Sequence, residues 1–363
     1  MPTYVPYRND IETIASDEAE TFGKIVEVMT KGQNITREKY GKAVRISHAK
    51  AHGLLKGELT VPAGLPPELA QGLFARPGTY PVVVRLATAP GELLDDSKVS
   101  TDRGLAIKVF GVEGPHLPPF EDTTNQDFVL DTTKQFFCSG VKTFLQSFKP
   151  NAEIATHLSD TTKGLVSDAA RIANVALNKV GMSSEKLGFY GHAKKHPMAE
   201  EYYSQTPFRY GDYVAKLGVL PVTPGLAELE ALPFDPQTPD ALREETVRFF
   251  KTHAAEFDLV VQLNTDLEKM PIEDAQAPWS EEESPYRPVA RITIPVQDAY
   301  APARVDVVDG NFSFSPAHTL VAHRPLGGIN RARLVAYTAL SNLRRQENNR
   351  PQAEPTSIDQ VPA

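Results

Sequence analysis

The sequence predicts an α+β protein built on one mainly antiparallel β-sheet, and two observations carry that prediction. Short β-branched runs fall at 55–61, 80–88, 104–112 and 126–130, too closely spaced for a helix between each pair, and the pattern returns at 258–266 and 287–300. Helical composition is confined to 11–31, 150–181, 241–257 and Asn330–Glu347. Strands joined by turns and longer loops pair antiparallel, so the later strands complete the same sheet, open or closed into a barrel.

Each element has its own signal. In 11–31, Ile11, Ile14, Phe22, Ile25, Val26 and Met29 recur near helical spacing, with acidic residues toward the front where the helix dipole favours them. The runs LKGELTV, YPVVVRLAT, GLAIKVFGV and QDFVL are separated by Gly, Pro and Asp clusters, the punctuation of strands. A Pro- and Gly-rich stretch follows the 150–181 helix through about 238. The last helix is preceded by HRPLGG, whose proline and glycines cannot be helix interior. Residues 350–363 are polar and Pro-rich and are expected to form a disordered tail.

Composition narrows the partners. At 363 residues and 41% hydrophobic content the chain can bury a substantial core, and no run of about 18 apolar residues suggests a membrane span. The polar start carries no secretory pattern, so a cytoplasmic protein is expected. A formal net charge of -8 argues against nucleic acid and leaves a small-molecule substrate, with a homo-oligomer open. The single cysteine, Cys138, excludes an internal disulfide and a multi-thiolate metal site, and is expected to be a small, partly buried apolar residue.

Two local patterns carry chemistry. On the last helix Arg333 and Tyr337 are four apart and share a face, which Arg344 continues seven residues on. A cation held against a phenol favours the phenolate, a hard donor suited to ferric iron; the alternative is a core tyrosine beside a salt-bridging arginine. The second pattern, RISHAKAHG at 45–53, places His48 and His52 four apart. A zinc helix would need a Glu after the first histidine and a third ligand, and neither is present, so a hydrogen-bonded core histidine competes with a catalytic one. His192 and His196, with two lysines between them, are expected in a solvated basic loop.

Seven collinear segments over residues 43 to 345 resemble the catalase family. RISHAKAHGLLKGELTV is similar to R-x-x-H-A-K-G-x-G-x-x-G-x-F, VRLAT to R-F-S-T, and STDRGLAIKVFGVEG to R-D-x-R-G-F-A-x-K-F. QDFVLDTTKQFF resembles W-D-L-V-G-N-N-T-P-V-F-F, and MPIEDAQAPW a P-I-E-D-x-x-x-x-W block. EYYSQTPFRYGDYVAK resembles the stretch after the family's long helical connection, and RLVAYTALSNLR its R-x-x-x-Y helix. The length is similar to that of the small bacterial catalase-related branch. The resemblance implies one haem domain over 1–349, with an N-terminal helical arm at 1–42. It implies an antiparallel β-barrel core with surrounding helices, and haem b between barrel and C-terminal helix.

Carried over by position, the resemblance makes Tyr337 the iron ligand, with Arg333 lowering its basicity, and His48 the distal acid–base residue. Arg45, Arg85 and Arg344 fall where the family places cations on the haem propionates, and Phe136, Phe137 and Phe144 on apolar positions around the haem. Thr132 falls where catalases carry the distal asparagine, Ser47 replaces an apolar residue before the distal histidine, and Ala87 replaces a serine. These departures imply a peroxidase acting on organic hydroperoxides or hydrogen peroxide, with weak catalase activity. The alternatives are a hydroperoxide isomerase or lyase and a non-catalytic haem-binding protein. Ser47 and Thr132 are expected to hold His48 and peroxide through their hydroxyls.

Overall fold

Nine strands make one antiparallel sheet in the computed structural model, which describes residues 3–147, 159–178, 190–224, 226, 229, 234–352 and 354–363. The strands are β1 (Ala51–Val61), β2 (Gly78–Thr88), β3 (Arg103–Val109), β4 (Gln126–Asp131), β5 (Tyr202–Tyr203), β6 (Phe208–Tyr210), β7 (Tyr213–Pro221), β8 (Ala255–Leu263) and β9 (Arg287–Ile294). Their order is β5-β4-β3-β2-β1-β9-β8-β7-β6, and β5 also pairs with β7, so eight strands close into a ring that β6 extends. Closure removes the free edges that an open sheet would have to protect.

Period-2 alternation explains both faces. Val82, Val84 and Leu86 on β2, Leu105, Ile107 and Val109 on β3, and Phe128 and Leu130 on β4 point into the barrel and join one core with Leu217, Leu259, Val261 and Ile292. The residues between them lie on the outer face, where Val83, Ala106 and Val129 pack with Val308, Phe312 and Phe314 from the C-terminal part of the chain. Covering both faces of β2–β4 is why these strands read as nearly continuous apolar runs.

The longer helices among the described residues are α1 (Glu18–Tyr40), α2 (Asp160–Asn178), α3 (Ala241–Phe250) and α4 (Gly328–Glu347). Helix α4 is fastened at its first turns by Arg331, which pairs with Glu12 and Glu18 at 2.5 and 2.7 Å and with Glu273 at 3.0 Å. A short helical segment with a π turn, Val305–Asp309, lies over the outer face.

Several boundaries differ from the sequence-based expectation. Helix α1 begins at Glu18 and runs to Tyr40, ending at Gly41, whose φ of 68° suits a left-handed cap. Helix α3 stops at Phe250 and residues from Ala255 enter β8, because β-pairing with β9 overrides local propensity. Strands β5, β6 and β7 lie in the stretch taken as Pro- and Gly-rich loop. The expected 150–181 helix falls partly outside the described residues.

The tail is not disordered. Val361 is buried in the outer-face core, Asn125 Nδ2 donates to the Pro355 carbonyl at 2.6 Å, and Lys56 Nζ donates to the Val361 carbonyl at 2.9 Å. Glu354 bonds Arg345 and Ser313. Composition hid this docking because two separated apolar residues, Ile358 and Val361, and backbone carbonyls hold the segment, rather than a hydrophobic run.

Candidate functional site

The site forms on the outer face of β2, β3 and β4. Register places Arg85 opposite Ala106 and Ala106 opposite Val129; the next row is Ala87, Gly104 and Asp131. His48 sits on that second row, in a left-handed backbone conformation (φ 54°) held by its N–H donating to the Ala89 carbonyl at 2.8 Å. A Cβ at Gly104 would collide with the His48 ring, so glycine is what lets the imidazole lie against β3.

His48 is the centre of an incompletely satisfied chamber. Its Nδ1 is buried without a hydrogen-bond partner, and Nε2 stands 3.9 Å from Asp131 Oδ2. Burial, with the nearby charges of Arg85, Arg333 and Arg45, pushes its pKa down to about 3, so the ring is neutral at physiological pH and keeps an accepting nitrogen. Asp131 Oδ1 is also buried without a partner, and burial together with the charge of Asp102 holds its carboxyl well above the usual carboxylate range.

Ser47 and Thr132 do not take the roles expected of them. Ser47 Oγ donates to the Ala89 carbonyl at 3.1 Å, and Thr132 Oγ1 accepts from the Arg103 N–H at 3.1 Å. Ser47 has given its hydrogen to backbone, whereas Thr132 accepts from backbone and keeps its own hydrogen. Adjacent strand residues point to opposite faces, so a one-residue change of register exchanges Thr132 for Asp131 as the group facing His48. The W-D-L-V-G-N-N-T motif has two consecutive asparagines, matched by Asp131 and Thr132, and strand parity turns the first of them toward His48.

Arg45, Arg85 and Arg344 lie together around the Val308–Phe312 segment. Arg45 donates to Asp309 Oδ1 at 2.6 Å and to the Phe312 carbonyl at 2.9 Å. Arg85 Nε donates to Asp309 Oδ1 at 2.9 Å, and Arg344 donates to the carbonyls of Gly310 and Phe312 at 2.7 and 2.9 Å. Arg45 is pushed well below its ordinary value by burial and by Arg85 and Arg344, and burial brings Arg344 down to about 10. Guanidinium keeps its proton, so these shifts register positive charge that the single carboxylate does not neutralise. Asp309 is correspondingly brought down to about 2: the arginines outweigh the cost of its burial.

Arg333 connects this face to α4. Its guanidinium lies 5.4 Å from the Tyr337 ring centroid and donates to Asn330 Oδ1 at 3.0 Å, and one of its nitrogens is 3.5 Å from the Val129 carbonyl of β4. Tyr337 is half-buried on the same helix face. Phe136, Phe137 and Phe144 form one ring cluster, with centroids 4.6 to 5.9 Å apart, and pack with Ile329 and Ala332 ahead of Tyr337. Cys138 is buried in that cluster.

The second histidine pair is not a solvated loop. His192 lies between Asp102, at 3.2 Å from Nδ1, and Glu200, at 2.9 Å from Nε2, and His196 meets Glu245 at 2.7 Å. Burial opposes a charge on His192, but Glu200 and Asp102 outweigh it and raise its pKa to about 9. Arg103 joins Glu200 at 2.9 Å, so the end of β3 carries a buried ionic cluster that spacing alone did not suggest. His52 is buried with neither ring nitrogen bonded, and among the described residues no His, Cys, Asp and Glu group could hold a metal ion, which removes the zinc alternative there.

No family model and no curated protein matches the chain. Solved structures do. A fungal catalase has 17% identity and a TM-score of 0.57 over 95% of this chain and 67% of its own. Catalase A from Saccharomyces cerevisiae has 14% identity and a TM-score of 0.56, covering 95% and 68%. A bacterial catalase has 17% identity and a TM-score of 0.57, covering 96% and 68%. The fold is catalase-like. On that fold, the residues that could hold a metal-bearing planar cofactor are the phenol of Tyr337 and the Arg45–Arg85–Arg344 cluster. Among the described residues no helix is long and apolar enough to cross a membrane.

Proposed function

We propose that the protein is a haem-dependent peroxide-metabolising oxidoreductase: a peroxidase that acts on organic hydroperoxides or hydrogen peroxide and has weak catalase activity. The observation that carries this is the charge of the arginine cluster. Three guanidiniums against the one carboxylate of Asp309 leave two positive charges, the complement of the two propionates of haem b. The orphaned His48 Nδ1 and the oxygen donor of Tyr337 fit the same group.

Haem, when bound, supplies a ferric iron that can exchange electrons with peroxide. Tyr337 would hold it through its phenol oxygen, with the Arg333 guanidinium beside its ring. His48, neutral and partly desolvated, can accept a proton from a hydroperoxide and return it to the leaving oxygen, a shuttle worth about 10²–10⁴-fold. Ser47, next to His48, gives its hydrogen to the Ala89 carbonyl and so offers none to a bound hydroperoxide.

The purified protein is expected to take up haem and show a high-spin ferric spectrum that Tyr337→Phe loses or shifts; an unchanged spectrum would remove Tyr337 as ligand. His48→Ala is expected to keep the haem and slow cleavage of cumene hydroperoxide by roughly 10²-fold. Haem binding without turnover in the wild type would leave a non-catalytic haem protein.

A further inference from the structure

We propose that a polar cleft behind α4 binds the organic electron donor, a neutral phenol such as hydroquinone, and that His318 accepts its proton. The inference rests on the proposed peroxidase reading and adds the second substrate, which lies away from the His48 chamber. The cleft, of about 500 Å³, is walled by α4, Phe120, the Ser313–His318 segment and the docked tail. That volume is in the range of small-molecule sites. Thr338, Ser341 and Asn342 line it from α4, the helix that also carries Arg333, Tyr337 and Arg344. Thr338 directly follows Tyr337, so a molecule in the cleft stands within one helix diameter, about 10 Å, of that phenol.

The lining sets the chemistry of the ligand. His318 is 1% exposed, and its Nδ1 stands 2.8 Å from Asp127 Oδ2 and 3.3 Å from Lys108 Nζ. A carboxylate only accepts, so the shorter contact puts the ring hydrogen on Nδ1 and leaves Nε2 a bare acceptor. Among the described residues none donates to Nε2, and the ring that carries it forms the cleft wall beside Phe120, edge-on with centroids 4.4 Å apart. Glu354 Oε2, on the same wall, is also buried without a hydrogen bond. The hydroxyls add acceptors rather than donors: Thr338 and Ser341 give their hydrogens to the Leu334 and Thr338 carbonyls at 3.0 and 3.2 Å, and Ser313 gives its own to Glu354 Oε1 at 2.6 Å. Such a wall is satisfied by a molecule that brings O–H groups. Its charges cancel in pairs, Lys108 with Asp127 and Arg345 with Glu354, which suits a neutral ligand, and Phe120 suits a flat ring. A quinone, the oxidised product, brings only carbonyls and is held less well.

Two phenols reduce one hydroperoxide. Each gives its O–H proton to His318 Nε2 and one electron to the haem that the peroxide has oxidised, and leaves as a neutral phenoxyl radical. The two protons and two electrons convert ROOH to ROH and water.

Calorimetric titration of the haem-free protein tests the site without any turnover. Hydroquinone is expected to bind saturably, and para-dimethoxybenzene, which keeps the ring but has no O–H, about tenfold or more weakly. Cyclohexanediol, with the O–H groups but no flat ring, should be weaker by a similar factor. Asn342→Trp, at an exposed position of the cleft wall, should fill the cleft and abolish binding. In the haem-loaded protein Asn342→Trp and His318→Gln are each expected to lower kcat/KM for hydroquinone by about tenfold or more, with the wild-type haem spectrum retained. Absence of saturable hydroquinone binding, equal binding of either analogue, or unchanged binding in Asn342→Trp overturns the inference, as does hydroquinone oxidation at the wild-type rate in that variant. Should His318→Gln not fold, Asn342→Trp decides alone. Saturable, Asn342-dependent binding in a protein that takes up no haem or never cleaves peroxide refutes the proposed function instead and leaves the phenol site standing, which keeps the two failures apart.

Discussion

Two clusters of like charge lie on the same barrel face, and they are balanced by different means. Around Arg45, Arg85 and Arg344 the chain supplies one carboxylate, Asp309, and several carbonyls, leaving positive charge in excess. Around Asp102, Asp131 and Glu200 it supplies Arg103 and His192, leaving one carboxyl without a counter-ion. Guanidinium cannot shed its proton, so the first cluster is completed only by an anion from outside; a carboxyl can take one up, so the second completes itself at neutral pH. The difference marks one cluster as a place for anion binding and the other as a place for proton chemistry.

The same chemical change should therefore have opposite consequences in the two clusters. Asp309→Asn removes the carboxylate that Arg45 and Arg85 share and is expected to destabilise the haem-free protein by about 3 kcal/mol, as loss of one partner in a largely buried ionic group does. Asp131→Asn is expected to leave stability unchanged or raised above neutral pH, because the amide never has to hold a proton. Urea unfolding of both variants checks this, and an equal loss in both would end the distinction.

A smaller effect is expected at His192. Its folded pKa of about 9 lies above the ordinary value of about 6.5, so its stabilisation is complete below that lower value and is lost as pH rises through about 9. His192→Gln should flatten this alkaline loss of stability. A wild-type urea midpoint that stays level up to about pH 10 would show that the bridge to Asp102 and Glu200 carries no charge.

The smallest effect belongs to the two hydroxyls beside the distal chamber. Ser47→Ala and Thr132→Val each remove one hydrogen bond to backbone and should cost about 1 kcal/mol or less of stability. Peroxide turnover at matched haem content is expected to stay within about twofold. A tenfold change in either variant would return the distal chemistry to Thr132 or Ser47.

How much was legible follows from the range of each signal. Strand runs such as YPVVVRLAT and the α4 face carrying Arg333, Tyr337 and Arg344 are periodic patterns within one element, so they could be read from the chain alone. Strands β5 to β7 were not legible, because they are short or interrupted by Gly and Pro and gain their regularity from pairing across the barrel closure.

What the sequence determined by itself was the antiparallel α+β architecture and the helix face that carries Arg333, Tyr337 and Arg344. Tertiary structure alone decided that Asp131 rather than Thr132 faces His48, that His192 is an ionic bridge, that Asp309 meets the arginines, and that the tail docks. The physical reason is that residue type and periodicity are local properties. Which face a strand residue presents, and which charges share a low-dielectric pocket, depend on register and on partners distant along the chain, such as Arg45 and Asp309.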